Sequence, residues 1–160
     1  MKPKLTVAFT GHRPGKLGGY NSNNPIRVKI NSRITEKLEA LQEQYDLTVI
    51  TGMALGIDQD AALICIQLGI PFIAAIPCLN HSKKWPSEAQ AQYNEILQKA
   101  KEIVFVSKNE YTGDCMQKRN IWMVDHCNLL IAVWDGSGGG TANCVYYAQS
   151  KYVSIERIKP

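Results

Sequence analysis

The sequence predicts an α/β fold in which a parallel β-sheet carries helices on both faces. Three observations support this prediction. Short apolar runs rich in strand-forming residues alternate with longer segments whose apolar residues recur every three or four positions. No linker, internal repeat or low-complexity segment interrupts this alternation. Three of the apolar runs end in a Thr-Gly or Asp-Gly step, at residues 10–11, 51–52 and 135–136. Strands that alternate with helices imply a parallel sheet covered on both sides.

Six strands and five helices are expected in alternating order. The predicted strands are residues 5–9, 47–50, 71–76, 103–106, 129–134 and 152–158. A long loop over residues 11–24 follows the first strand. The predicted helices begin at Pro25, Asp58, Ser87, Cys115 and about Thr141.

The sequence also predicts how two of these helices begin and which apolar residues two of them carry. Ser87 is a predicted N-cap, and Asp58 is either an N-cap or a ligand residue. The apolar face of the first helix is predicted to carry Ile26, Ile30, Ile34, Leu38 and Leu41. The third helix is predicted to carry Ala91, Ile96, Leu97 and Ala100.

Length and composition favour one globular domain over residues 1–160. A chain of 160 residues with 45% hydrophobic and 20% charged residues can bury a sizeable core. The net charge of +4 suits an anionic small ligand as well as it suits nucleic acid. The five cysteines are odd in number and form no C-x-x-C pair, which predicts buried thiols rather than a zinc site. We therefore expect no metal and no cofactor.

No segment predicts insertion into a membrane. The first apolar run covers only residues 5–9, which is too short for a signal peptide, and no apolar run approaches 18 residues. We therefore expect a cytoplasmic protein without a membrane partner.

The ends of the strands predict a ligand-binding crevice. Right-handed crossovers bring the C-terminal ends of parallel strands to one edge of the sheet, where ligands of open α/β sheets bind. Predicted ligand residues therefore follow the first, second and fifth strands. They are Thr10, Gly11, His12, Arg13, Thr51, Gly52, Gly56, Asp58, Asp135, Gly136, Gly138, Gly139, Gly140 and Thr141.

The glycine-rich loop over residues 136–141 predicts a phosphate or ribose site. Glycine lets the backbone approach a ligand closely, and the free N–H groups at the start of the next helix point towards it. The spacing matches neither G-x-x-x-x-G-K-[ST] nor G-x-G-x-x-G. The loop therefore supports neither P-loop NTPase chemistry nor ordinary dinucleotide binding. A flexible loop without a ligand is the alternative.

Several polar side chains near these strand ends have two interpretations each. Arg13 suits bidentate contact with a phosphate, whereas His12 either contacts the ligand or bonds to the backbone. Asp58 and Asp135 are placed to bind a ribose hydroxyl, and Asp135 is also placed to act as a base. Cys144 lies one turn into the last helix, where a reactive thiolate is favoured, but most cysteines are simply packed.

Arg119 is predicted to face inward together with the apolar residues of its helix. Met116 and Met123 lie three residues before it and four residues after it. A buried guanidinium needs a partner, which is either the carboxylate of Asp125 or Asp135 or the phosphate of a ligand. Asn120, the next residue, is also a predicted ligand residue.

Four motifs occur together in the order that one family shows. They are FTGHRP over residues 9–14, TGMALGID over 51–58, RNIWMVD over 119–125 and WDGSGGGTAN over 134–143. The combination resembles the SLOG superfamily and is most similar to its YpsA-like branch. The resemblance covers nearly the whole chain. It implies a three-layer Rossmann-like fold, a pocket for nucleotides or their derivatives, and self-association into a homo-oligomer.

Two relatives within this superfamily imply different activities. The Lonely Guy phosphoribohydrolases split a nucleoside monophosphate, and Arg119 is similar to the arginine that this family has upstream of its glycine-rich motif. Cys144 stands where that family has its catalytic glutamate, and Gly136 replaces a proline. The DprA family, whose Rossmann domain has a stretch similar to residues 51–58, binds DNA through an additional basic surface that this sequence does not reveal.

The sequence therefore predicts a protein that binds a nucleotide or nucleotide-derived ligand, such as an ADP-ribose-type signal, as a sensor or sequestering protein. No residue is assigned a catalytic role. One alternative is a phosphoribohydrolase-like enzyme that uses Asp135 or Asp58 in place of the missing glutamate. A second alternative is a DprA-like nucleic-acid-binding module, against which the modest charge argues.

Overall fold

A computed structural model describes all of residues 1–160 and contains one six-stranded sheet. The strand order is β4-β3-β2-β1-β5-β6, and every pair of neighbours is parallel. The strands are β1 (Lys4–Gly11), β2 (Asp46–Thr51), β3 (Phe72–Ile76), β4 (Glu102–Phe105), β5 (Leu129–Val133) and β6 (Ser154–Ile158). The predicted α/β fold with a Rossmann-like parallel sheet is confirmed.

Five α-helices connect the strands, and a short 3-10 helix, Pro14–Lys16, lies in the loop after β1. None of them combines the length and the apolar composition that crossing a bilayer requires. The helices are α1 (Pro25–Gln44), α2 (Ile57–Leu68), α3 (Ser87–Gln98), α4 (Cys115–Asp125) and α5 (Gly140–Ser150).

The central strands bury both of their faces, which produces three layers. Val7 and Phe9 of β1 pack in the core beneath α1, α2 and α3, whereas Ala8 packs in the core beneath α4 and α5. In β5, Ile131 packs in the core beneath α1, α2 and α3, and Leu130 packs in the core beneath α4 and α5. This division follows from the two-residue period of a strand, because successive side chains point to opposite faces.

The order of the strands reverses beside β1. From β1 the chain builds outwards through β2, β3 and β4, and then it returns to add β5 on the other side of β1. Thr10 pairs with Ala132 and Gly11 with Val133, so the loops that follow β1 and β5 leave the sheet side by side. A crevice at such a reversal is the usual ligand site of an open α/β sheet.

Some local predictions on the helices are wrong. Ile26 is 46% exposed, because the buried face of α1 instead includes Arg27 in the first turn. On α3 Ala91 is exposed, the buried residues are Tyr93 and the predicted Ile96, and Ala100 lies beyond the end of the helix at Gln98. Ser87 is the first residue of α3 rather than its N-cap, and no side chain caps this helix.

The start of the last strand also differs from the prediction. Tyr152 has a φ of 57° and an exposed ring, so the chain turns there before β6 begins at Ser154.

A buried ion pair joins α1 to α2. The Arg27 Nη2 atom donates to Asp60 Oδ1 at 2.6 Å, and Nε donates to Oδ2 at 3.1 Å. Arg27 Nη1 also donates to the Tyr20 carbonyl at 3.3 Å, which ties the long loop before α1 to the same contact. Both charged side chains are less than one-tenth exposed. Bidentate geometry and burial place this pair among the strong charge-assisted contacts.

We predict that Arg27→Ala destabilises the protein by about 3–5 kcal/mol, because it leaves the Asp60 carboxylate buried without its partner. The free energy of unfolding from urea denaturation measures this loss. Lys118→Ala is the matched control, because it breaks the exposed ion pair with Asp114 and should leave the denaturation midpoint nearly unchanged. Equal losses in the two variants would show that the buried pair does not hold α1 on α2.

Candidate functional site

A cavity of about 300 Å³ lies at the edge of the sheet where β1 and β5 end. We refer to it as the crevice. Its volume lies near the lower end of the range of about 300–1,000 Å³ that is typical of small-molecule sites. The lining residues are Thr10, Gly11, His12, Arg13, Gly15, Lys16, Ala54, Asp58, Met116, Arg119, Asn120, Gly138, Gly139, Gly140 and Thr141.

Arg119 is buried in the wall of the crevice and is 6% exposed. Its Nη1 atom donates to the Gly52 carbonyl at 2.6 Å, and its Nε atom donates to Asn120 Oδ1 at 3.0 Å. The Nη2 atom has a single protein contact, the Met116 sulfur at 4.0 Å. The guanidinium therefore keeps unused N–H groups, and it lines the crevice.

Neither of the carboxylates that the sequence suggested is the partner of Arg119. Asp125 accepts a hydrogen bond from the Tyr147 hydroxyl at 2.8 Å. Asp135 accepts from Ser137, and no carboxylate oxygen lies within 4.0 Å of Arg119. Arg119 is thus a buried cation without a directly paired anion from the protein.

Asp58 is the carboxylate that lines the crevice. Its Oδ2 atom accepts from the Ala54 N–H at 3.2 Å, and its other oxygen has no hydrogen-bond partner in the protein. Burial raises the pKa of Asp58, and the positive charge of Arg119 opposes this rise only in part. Asp58 is not the N-cap of α2, because Gly56 occupies that position. The N-cap interpretation of Asp58 is therefore wrong.

The crevice carries more positive than negative charge. Arg13 and Lys16, which follow β1, line it together with Arg119, whereas Asp58 is the one acidic residue among its lining residues. Four lining residues were not among the predicted ligand residues: Gly15, Lys16, Ala54 and Met116. For Lys16 the available signal was a basic side chain shortly after a central strand. Lys16 Nζ donates to Ser137 Oγ at 2.5 Å, which bridges the loop after β1 to the glycine-rich loop.

Three predicted residues shape the crevice from behind. Thr51 is fully buried, and its hydroxyl donates to the Asp58 carbonyl at 2.6 Å. A side chain at Gly52 would clash with the Arg119 guanidinium, and one at Gly56 would lie 2.6 Å from the His12 carbonyl oxygen. These two glycines are required because the backbone passes too close to its neighbours for a Cβ atom.

Asp135 and Gly136 position the glycine-rich loop and do not line the crevice. Asp135 Oδ1 accepts from the Ser137 N–H at 2.8 Å and from its hydroxyl at 2.5 Å. These hydrogen bonds hold the pKa of Asp135 below its usual range. Gly136 turns the chain with a φ of 93°.

His12 connects β1 to the same loop. Its Nε2 atom lies 3.0 Å from both the backbone nitrogen and the Oδ1 atom of Asp135. Since the backbone nitrogen carries a hydrogen, it donates to Nε2, which then acts as an acceptor. This is the backbone-bonded arrangement that was one of the two interpretations of His12, although the residue also lines the crevice.

The start of α5 presents free backbone donors to the crevice. Gly139 precedes the helix with a φ of 135°, and no side chain caps it. The N–H groups of Gly140 and Thr141 have no acceptor in the protein, and both residues line the crevice. Asn120 Nδ2 donates to the Gly140 carbonyl at 3.4 Å, which holds this turn against α4. Such a helix start attracts anions.

Cys144 is not placed to act as a nucleophile. It is fully buried in the core beneath α4 and α5, and burial raises the pKa of its thiol to about 12. The side chain is therefore a packed thiol at neutral pH. No three side chains of the types His, Cys, Asp or Glu converge into a site that could hold a metal.

One relative matches the chain over most of both sequences. It is the uncharacterized SPbeta prophage-derived protein YoqJ of Bacillus subtilis (strain 168). The two are 33% identical over 157 residues, which cover 86% of this chain and 91% of YoqJ.

Two groups of solved structures share the fold. The DNA processing protein A of Helicobacter pylori, whose structure concerns single-stranded DNA binding, matches with a TM-score of 0.70 and 17% identity. The match covers 97% of this chain, which spans 65% of that protein. The Moco carrier protein of Chlamydomonas rheinhardtii matches with a TM-score of 0.59 and 15% identity, over 100% of this chain and 78% of the other. At these identities the likeness concerns the fold alone.

The family is shown by the sequence itself. A family model named YpsA and described as the YspA SLOG family matches residues 7–159, which include all six strand ends and the glycine-rich loop. The chain therefore belongs to the YpsA family of SLOG proteins.

Proposed function

We propose that the crevice binds a phosphate-bearing nucleotide or nucleotide-derived ligand, such as an ADP-ribose-type signal, and that the protein acts as a sensor or sequestering protein. The observation that carries this proposal is that Arg119 is only 6% exposed and that no carboxylate lies within 4.0 Å of its guanidinium group. A buried charge without a partner is costly. A bound phosphate would neutralise it and would use the free N–H groups of Nη2.

The glycine-rich loop supports a ligand that approaches the backbone. A Cβ atom added at Gly138 or Gly140 would meet no protein atom within 4 Å, and neither residue has a left-handed φ. Neither the packing nor the backbone conformation of the protein therefore requires glycine at these two positions. The open space in front of them suits a phosphate bound to the N–H groups of Gly140 and Thr141.

The remaining charges suit the two ends of a nucleotide. Arg13 and Lys16 add positive charge to the lining of the crevice, where a second phosphate would be stabilised. The unpaired oxygen of Asp58 is an acceptor for a ribose hydroxyl. A sugar phosphate therefore satisfies both the unpaired donors and the unpaired acceptor of the crevice.

Asp58 also favours a second candidate, which is hydrolysis of the N-glycosidic bond of a nucleoside monophosphate. A carboxyl group with a raised pKa inside a cleft is typical of a general acid or base. Asp135 does not suit this role, because it does not line the crevice and its pKa is lowered. In this candidate Asp58 would donate a proton to the leaving base or accept one from the attacking water, and Arg119 would hold the phosphate.

We predict that Arg119→Met abolishes nucleotide binding. Nucleotide binding is measured by the thermal shift that AMP, ADP-ribose or a cyclic nucleotide produces. A ligand at a hundredfold excess over its dissociation constant should stabilise the wild-type protein by about 2.7 kcal/mol. The variant should lose this gain. Arg33→Met is the matched control, since that exposed arginine donates to the Lys159 carbonyl and does not line the crevice. The proposal fails if no nucleotide stabilises the wild-type protein, or if Arg119→Met binds as tightly as Arg33→Met does.

We predict that Gly138→Ala and Gly140→Ala weaken nucleotide binding by roughly tenfold or more, which corresponds to about 1.4 kcal/mol. The added methyl group would occupy the space in front of the helix start. The free energy of unfolding should be unchanged or raised, by up to about 1 kcal/mol, because both sites accept alanine without strain. Gly113→Ala is the control, because its added methyl group also meets no neighbour but lies outside the crevice. Unchanged affinity in both crevice variants would exclude a phosphate at this turn.

We predict that Asp58→Asn is at least as stable as the wild-type protein at pH 7. The folded-state pKa of Asp58 is raised above 3.8, so its protonation stabilises the fold below about pH 4. That contribution is lost as the pH rises through the folded-state pKa. The variant has no ionisable group at this position and does not lose that contribution. The stability difference in favour of the variant should therefore grow with increasing pH, as measured by melting temperature from pH 4 to pH 8. A difference that shrinks over this range would contradict the raised pKa.

The same variant separates the two candidate functions. An enzyme should release free base from a nucleoside monophosphate, detected by chromatography, and Asp58→Asn should lose this release while it still binds the nucleotide. A sensor or sequestering protein should release no base in either form. Base release that survives both Asp58→Asn and Arg119→Met would reject the roles assigned to these residues.

A further inference from the structure

A second cavity, of about 400 Å³, lies on the other side of the loops that wall the crevice. It is bounded by the loop before α1 and by the first turns of α2 and α3. The lining residues that bear on its chemistry include Tyr20, Arg27, Gln59, Asp60, Glu88 and Ala89. None of them lines the crevice. The Ile57 N–H donates to the His12 carbonyl at 3.4 Å, which links the lining of the crevice at His12 to the residue after Gly56 of the second cavity.

Gln59 brings an unpaired acceptor to this second cavity. Its side chain is buried, with 3% of the residue exposed. The Nε2 atom donates to the Met53 carbonyl at 3.1 Å, which fixes the orientation of the amide. The Oε1 atom has no hydrogen-bond partner in the protein, yet it is not sealed from solvent. It therefore opens into the cavity that Gln59 lines, where a donor from a ligand would satisfy it.

The second cavity has the opposite charge character from the crevice. Arg27 and Asp60 neutralise each other through two hydrogen bonds, so the ion pair contributes no net charge. Glu88, an exposed carboxylate in the first turn of α3, is the remaining charged residue of the lining. A phosphate would find no unpaired cation here. An uncharged ligand with N–H donors would find the Gln59 oxygen and the Glu88 carboxylate.

The walls of the second cavity suit a flat ring. Pro14, Pro86, Leu55 and Leu63 contribute apolar surface to the lining. Tyr20 is 77% exposed, although its backbone carbonyl accepts a hydrogen bond from Arg27. An exposed tyrosine on a fixed backbone at the rim of a cavity is well placed to pack on a planar ligand.

We propose that this second cavity binds an uncharged nucleobase or nucleoside that carries an exocyclic amino group. Gln59 Oε1 accepts a hydrogen bond from that amino group, and Tyr20 packs against the ring. The site is independent of the phosphate site proposed for the crevice, because the two share no lining residue.

Adenosine is the probe for this site, because it has the amino group and the ring but no phosphate to engage the crevice. Its affinity is measured by ligand-observed NMR titration. Purine riboside, which lacks only the amino group, should bind roughly tenfold more weakly, as expected for the loss of one buried hydrogen bond.

Two substitutions on α3 provide the matched test of location. Ala89→Trp fills the second cavity and should reduce adenosine binding by roughly tenfold or more, which is about 1.4 kcal/mol. Ala91→Trp places the same side chain on an exposed position of the same helix, outside the lining, and should bind like the wild-type protein. Tyr20→Ala should weaken binding, whereas Tyr111→Ala, which changes an exposed tyrosine elsewhere, should not.

Four results would overturn the proposal. Three of them are an absence of adenosine binding at millimolar concentration, equal binding by Ala89→Trp and Ala91→Trp, and equal affinity for adenosine and purine riboside. Loss of adenosine binding in Arg119→Met would place the nucleoside in the crevice and would also reject it. Conversely, Ala89→Trp should leave nucleotide binding to the crevice unchanged, so the two proposals fail separately.

Discussion

The arrangement of the crevice depends on the burial of one guanidinium group at the ends of the central strands. Arg119 of α4 donates to the carbonyl of Gly52, directly after β2, and to its neighbour Asn120. Asn120 in turn donates to the carbonyl of Gly140 at the start of α5. One helix therefore ties together two loops from distant parts of the chain. Glycine at position 52 is a consequence, because a side chain there would occupy the space of the guanidinium.

The two cavities differ in charge because of how their cations are paired. In the second cavity Asp60 accepts two hydrogen bonds from Arg27, so the two charges neutralise each other and create little electrostatic demand for a ligand. In the crevice Arg119 has carbonyl, amide and sulfur contacts but no paired carboxylate, and Asp58 keeps one oxygen free. Unpaired groups in a preorganised pocket are the usual feature of a site that a ligand completes.

The fold and much of the crevice could be predicted from the sequence, but the partners of its charged groups could not. The Thr-Gly and Asp-Gly steps after three strands located the edge, because the handedness of the crossovers brings those ends together. Lys16 reaches the crevice from a loop segment without a periodic pattern. Self-association and the identity of the ligand stay predictions, since no contact within one chain tests them.

By itself, the sequence determined the order of strands and helices, the edge where the crevice lies and the glycine-rich turn before α5. These features follow from local periodicity and from the conformational freedom of glycine, which act over a few residues. Only the tertiary structure decided that Arg119 lacks a carboxylate, that Asp58 rather than Asp135 lines the crevice, and that Cys144 is sealed in the core. Each depends on packing between segments far apart in the chain, such as the 67 residues that separate Arg119 from Gly52.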